Sequence, residues 1–251
     1  GASAGIGRAL AGAFADEGLA VALAARRHER LTRVVDEITS RGGRALSIVA
    51  DVTREDDACA LVDVTMSAFG RLDVMVCNAG FGFYGTVEQT ESTVMQRLMD
   101  VNFMGTFHAV RAAMPVFRRQ NSGHLFIISS IVGRRGIPYM GGYCATKFAQ
   151  VGLAEAVRAE CAGTPIKVTV VFPVSTRTEF LEAVQLDYGH VISGHGPRQS
   201  DEAVASSIVR CLKRPRPEVY PLAFSRGLVV FNALAPGSCD RFVQRYKRKR
   251  I

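Results

Sequence analysis

Short apolar runs alternate with longer stretches of helical periodicity along most of the chain, and that alternation leaves few folds open. The runs are "LAVALAA" (19–25), "ALSIVA" (45–50), "LDVMVC" (72–77), "HLFIIS" (124–129), "IKVTVV" (166–171) and a weaker "PEVYPL" (217–222). Each is short and apolar at successive positions, as strands buried on both faces of a parallel sheet are. Helical patterns fill 5–17, 28–40, 55–69, 91–118, 142–162 and 201–213. Strand, crossover helix and strand, repeated, specify an α/β fold of Rossmann type, a doubly wound parallel sheet with helices on both faces. The 251 residues suit one such unit. No segment is rich enough in Pro, Gly or Ser to divide it, so 1–251 reads as a single domain. One piece is expected to be missing. The turn "GASAGIG" (1–7) should follow a strand that is central in such a sheet, so two neighbouring strands should be left with unpaired edges.

Charge excludes one class of function. The formal net charge is +8, but residues 241–251, "RFVQRYKRKRI", supply +6 of it and leave +2 for the rest. The excess is a tail and not a groove, which argues against a nucleic-acid partner. A solvated basic end is the simpler reading, and contact with anionic lipid the sharper one. No apolar run approaches the roughly 20 residues that span a bilayer. The first residues show no basic stretch ahead of a continuous apolar one, so a cytoplasmic protein is expected. Six scattered cysteines form no metal-binding spacing and read as reduced thiols, most of them buried, with no metal site expected.

Gly1, Gly5 and Gly7 open the first helical pattern. Glycines there let the backbone approach a diphosphate, and the free N–H groups of a helix start favour its charge. About twenty residues on, a chain that binds NAD places an acid at the end of the second strand. Here Ala25 takes that place, followed by Arg26 and Arg27. Guanidinium groups pair with a 2′-phosphate that a carboxylate would repel, so NADP(H) is expected over NAD(H). The alternative is two surface arginines at a strand end.

In "GGYCATKFAQ" (141–150), Tyr143 and Lys147 stand at i and i+4 of a helical pattern, on one face. A phenol with an ordinary pKa of about 10 is a poor acid–base group at neutral pH, and a nearby ammonium brings it toward working range. A dehydrogenase needs that, because a proton must move at oxygen as hydride moves at carbon. The pattern is also a common one on amphipathic helices. Tyr139 shows the contrast, since its i+4 partner is Tyr143, which carries no charge.

Further motifs in a fixed order make the chain resemble the classical short-chain dehydrogenase/reductase family over nearly its whole length. The resemblance implies roles for particular residues. Ser130, thirteen before Tyr143, polarises the substrate carbonyl, and Ser129 is structural. Asn102 kinks the long central helix and holds a water that links the lysine to solvent. Asn78, Ala79 and Gly80 pack beside the adenosine ribose, and Asp51 and Val52 contact adenine. Gly1, Ser3, Gly5, Ile6 and Gly7 form the diphosphate turn. Tyr143 exchanges the proton, and Lys147 lowers its pKa and holds the ribose hydroxyls. Pro173 and Thr178 lie near the nicotinamide. Pairing of two long helices into a homodimer or homotetramer is implied as well. Two positions depart from the family pattern. Cys77 replaces the first asparagine of "NNAG", and Val174 replaces the glycine after Pro173, so a negative φ is expected at Val174.

Residues 179–200 read as an apolar lid, with Phe81, Phe83, Tyr84, Ile137 and Met140 as further wall. The expected substrate is therefore a hydrophobic secondary alcohol or ketone. The segment 223–251 reads as an apolar helix, a Pro-Gly break and a basic amphipathic helix that packs over the site or a subunit interface, or else rests on membrane. Two rivals to the enzyme remain: a redox sensor that binds NADP(H) without turnover, and an extended-branch epimerase or dehydratase, which this length disfavours.

Overall fold

In a computed structural model the protein is described at residues 1–176 and 198–248, the last four by backbone alone. Among the described residues six strands form, all in parallel pairs: β1 (Val21–Ala25), β2 (Ala45–Val49), β3 (Val74–Cys77), β4 (His124–Ile128), β5 (Lys167–Val171) and β6 (Glu218–Val219). Their order is β3-β4-β5-β6 in one block and β1-β2 in another. β4 is buried throughout and β5 at all but its first residue, and their successive side chains point to opposite faces and so build a core on each. Leu125, Ile127, Val168 and Val170 pack with α3 (Glu55–Phe69), α5 (Gly105–Gln120) and α6 (Gly141–Glu160). Phe126, Ile128 and Val171 pack with α1 (Gly5–Asp16), α2 (His28–Thr39) and α7 (Asp201–Lys213). Phe117 and Phe126 are fully buried, each contributing about 1.5–3 kcal/mol by leaving water. This is the doubly wound α/β architecture expected from the sequence.

Three differences from the expected elements have physical causes. β6 is two residues long because Pro217 and Pro221 flank it and cannot donate to a ladder. β2 is not buried on both faces: it pairs only with β1, and Val49 is 57% exposed at that edge. The expected long helix over 91–118 is α4 (Ser92–Leu98) and α5 joined through a π-helical turn at Met99–Met104.

The expected unpaired edges are present. β1 and β3 each have one strand partner, and between them lies a cavity of about 440 Å³ lined by Val21, Leu23, Val74 and Val76. The glycine turn closes its upper end. Ala2 N donates to Ala24 O at 3.1 Å on the β1 side, and Asn78 Nδ2 donates to Gly1 O at 2.8 Å on the β3 side.

At the C-terminal side, α8 (Ser225–Leu234) and α9 (Pro236–Arg248) follow. The Pro-Gly pair does not lie between the helices but opens the second, the position where a missing N–H is harmless. Among the described residues, no helix is long and apolar enough to cross a membrane.

Candidate active site

The carboxyl ends of β3, β4 and β5, the start of α1 and one face of α6 converge, and the sequence-predicted residues gather there. The start of α1 suits an anionic group. No side chain caps it, its first turn holds no acid, and Gly5 takes a φ of 53°. The turn is packed too tightly for side chains. A Cβ on Gly1 would lie 2.8 Å from the Ala79 backbone, and one on Gly7 would lie 2.0 Å from Gly1 O. Ile6 turns its side chain into the core and leaves only backbone for a ligand. At the end of β1, Arg27 Nη2 donates to Ser3 Oγ at 3.1 Å, which joins the arginine pair to the glycine turn. Arg26 is exposed and close enough to Asp51 to help hold that carboxyl below its usual range, although the main cause is the Thr53 backbone N–H. Val52 packs on Gly105, and its carbonyl is bonded to His108 Nδ1 at 3.1 Å. These observations fit a dinucleotide along the turn.

The second half of the site is a buried polar network. Asn102 sits in the π-helical turn with no exposed surface. Its Oδ1 accepts from Phe81 N, and its Nδ2 donates to Phe81 O, both at 2.9 Å, and to Thr146 Oγ1 at 3.0 Å. Thr146 in turn donates to Tyr143 O at 2.8 Å. The asparagine therefore fixes the chain just after Asn78-Ala79-Gly80 against the helix of Tyr143. Its own carbonyl accepts from Gln150 Nε2 at 2.7 Å and Thr106 Oγ1 at 2.8 Å.

Ser130 caps a short 3₁₀ turn at Ile131–Gly133, donates to Pro173 O at 3.4 Å and lies close enough to the Tyr143 phenol to favour its ionised form. Ser129 is structural as expected: it is buried and its Oγ donates to Lys147 O at 3.0 Å. Val174 stays out of the left-handed region, also as expected. Thr178 and residues 179–197 of the expected lid lie outside the described residues. The flanks of that segment meet, with Gln199 N donating to Ser175 O at 3.0 Å.

Lys147 is buried, and its Nζ lies 5.6 Å from the centroid of the Tyr143 ring. It donates to Ile128 O at 2.9 Å and to Gln150 Oε1 at 3.0 Å. One expectation is corrected here. Burial outweighs any acidification of the phenol by its neighbours. It pushes Tyr143 well above its ordinary value, Tyr84 and Cys144 add to the rise, and Ser130 opposes it. Burial also draws Lys147 down to about 7. A low-dielectric setting disfavours both charged forms, and the lysine spends two donors elsewhere.

Of the expected apolar wall, Tyr84, Ile137 and Met140 lie in the group around the phenol, and Phe81 and Phe83 do not. Tyr84 and Ile137 pack against a buried group of Val132, Met140, Tyr143 and Cys144. Tyr139 takes a φ of 65°, and its carbonyl accepts from Gly85 N at 2.9 Å. No propensity signals such a conformation for a tyrosine. Gln150, Thr146 and Thr106 were not singled out from the sequence. Their one signal is polarity on the inward face of helices otherwise packed by apolar residues. The arginines Arg134 and Arg135 were missed too. Arg134 pairs with Glu155 at 3.0 Å and with Glu218, while Arg135 bonds Asn232 at 2.8 Å and Asp240. Through the Arg135 side chain, and through Asn232 Nδ2 donating to Arg134 O at 3.4 Å, α8 and α9 pack onto the loop that follows Ser130.

A serine, a tyrosine and a lysine set beside a glycine-lined helix start define an oxidoreductase that uses a nicotinamide dinucleotide. The chain belongs to the short-chain dehydrogenase family, whose model matches residues 1–189. It is 37% identical over 183 residues to an A-factor type gamma-butyrolactone 1'-reductase of Streptomyces virginiae, covering 72% of this chain and 71% of that protein. Among solved structures, a short-chain dehydrogenase/reductase from Burkholderia phymatum in complex with NAD superposes with a TM-score of 0.85 at 25% identity, covering 93% and 90% of the two chains. An alcohol dehydrogenase from Thermococcus sibiricus complexed with 5-hydroxy-NADP gives 0.78 at 28% identity, covering 88% and 92%.

Proposed function

We propose that this oxidoreductase interconverts a hydrophobic secondary alcohol and its ketone with NADP(H), with Tyr143 as the acid–base group. A bound nicotinamide supplies or accepts the hydride at carbon. Ser130 donates to the substrate oxygen beside the Tyr143 phenol. Tyr143 gives up its proton in reduction and takes one back in oxidation. Lys147, poised near neutrality by burial, stabilises the phenolate when charged and replaces the proton. Asn102 holds the surrounding backbone.

The observation that carries this reading is the Ser130–Tyr143–Lys147 cluster opening beside the Gly80 backbone, where a Cβ would come within 3.7 Å of Lys147 Nζ. The Arg27–Ser3 contact with Arg26 alongside supports NADP(H), and the apolar group around Met140 supports a hydrophobic substrate. Rates of NADPH and NADH oxidation on a panel of lipid-like, steroid-like and aromatic ketones against polar ones test it. Turnover of apolar ketones with NADPH is expected. A protein that binds NADPH and turns over none of the panel would be the redox sensor instead. Contact with anionic lipid is a further part of the proposal. Phe224, Phe231 and Leu234 are exposed at spacings that share one face of α8, with Phe242 exposed on basic α9.

A further inference from the structure

Gln150 lies one turn beyond Lys147 on the inward face of α6 and is fully buried. Its oxygen accepts from the Lys147 ammonium at 3.0 Å, while its nitrogen donates to Asn102 O and to Thr106 Oγ1, both at 2.7 Å. The orientation is forced by its neighbours, since an ammonium cannot accept and a carbonyl cannot donate. A buried amide costs desolvation that only a full set of partners offsets. Packing alone would be served by leucine or methionine.

We propose that Gln150 is a positioning residue: its amide ties the Lys147 ammonium to the π-helical turn of Asn102 and sets the pH at which that lysine carries charge. A hydrogen bond to the charged form favours it, against the burial that disfavours it. The rest of the lysine's surroundings offers little else. Ile128 contributes a carbonyl from β4, and the Gly80 backbone lies near enough that a Cβ on it would be 3.7 Å from the ammonium. The Tyr143 ring is the titratable group beneath it, and burial keeps that phenol neutral. On the β3 side, the Cys77 thiol reaches the Thr106 carbonyl at 3.9 Å, and burial pushes it up to about 12. No carboxylate pairs with Lys147 among the described residues, so the amide is the principal side-chain partner of the charge.

The consequence for turnover rests on the acid–base roles proposed above, but the test does not. The chain has five lysines, so protein carrying ¹³C at lysine Cε gives few resonances, and Lys147→Met identifies the one required. The midpoint of that resonance is followed against pH in the parent, Gln150→Met and Gln150→Glu. Methionine keeps the length and removes the acceptor, and a fall of about one pH unit is expected; glutamate places a carboxylate there, and a rise of about one unit or more is expected. Coincident midpoints in all three proteins would overturn the proposal, as would failure of both variants to fold, which would make Gln150 a packing residue. The alkaline limb of the pH–rate profile should move with the midpoint. A shifted midpoint with an unmoved limb would uphold the positioning role and sink the acid–base reading of turnover.

Discussion

Replacing Lys147 with methionine should change stability in a way that depends on pH with a defined sign. Burial lowers the folded-state value of this lysine from 10.5 to about 7. The folded protein therefore binds fewer protons than the unfolded chain between those values, and stability rises with pH across that window. The penalty for burying the charge is absent above the unfolded value and grows as pH falls. It is fully present below the folded value. Integrated between pH 7 and pH 9, the lysine adds about 2 kcal/mol to stability, a term Lys147→Met lacks. The hydrogen bonds to Ile128 O and Gln150 Oε1 are already contained in that folded-state value, and the change in packing on replacement offsets the comparison by a constant that does not vary with pH. Urea unfolding of both proteins at pH 7, 8 and 9 gives the difference. The advantage of the variant over the parent should shrink, or its deficit widen, by about 2 kcal/mol as pH rises. A difference that stays flat would mean an ordinary folded-state lysine and would refute the reasoning.

Other consequences are open to simpler tests. Arg26→Asp should lower the ratio of NADPH to NADH turnover by at least tenfold, since a carboxylate repels the 2′-phosphate; an unchanged ratio removes the assigned cofactor preference. Gly133→Ala should destabilise the protein by about 1–3 kcal/mol in chemical denaturation, because its Cβ would lie 2.6 Å from Ser129 Oγ and 2.8 Å from Lys147 O. Flotation with anionic vesicles at low salt should carry the protein up, and Phe231→Ser with Leu234→Ser should leave it behind. Absence of binding by the parent would end the lipid proposal.

Much of this was legible because buried parallel strands have no polar face to conceal them. β1, β3, β4 and β5 lie within their expected apolar runs, and α2, α3 and α7 begin where the periodicity does. The site was legible for a different reason. Ser130, Tyr143, Lys147 and Asn102 stand at fixed separations in a fixed order, and the fold brings them together as that order implies. What stayed hidden depends on packing between elements remote in the chain. Gln150 meets Asn102 across 48 positions, and Arg135 meets Asp240 across 105. Helical spacing says which face Gln150 occupies but not what lies opposite. The phenol's shift was misjudged for a related reason. A neighbouring cation is visible at i+4, whereas the burial of both groups depends on packing between elements, and Tyr84, which adds to the shift, lies 59 positions away.

The most direct test of the chemistry assigned to this site is the turnover of Tyr143→Phe on the best ketone from the panel, with NADPH binding measured on the same protein. The rate should fall by at least about a hundredfold while NADPH binding persists, because one phenolic proton has been removed and the cradle has not. A variant that binds NADPH and still reduces the ketone near the parent rate would show that another group moves the proton.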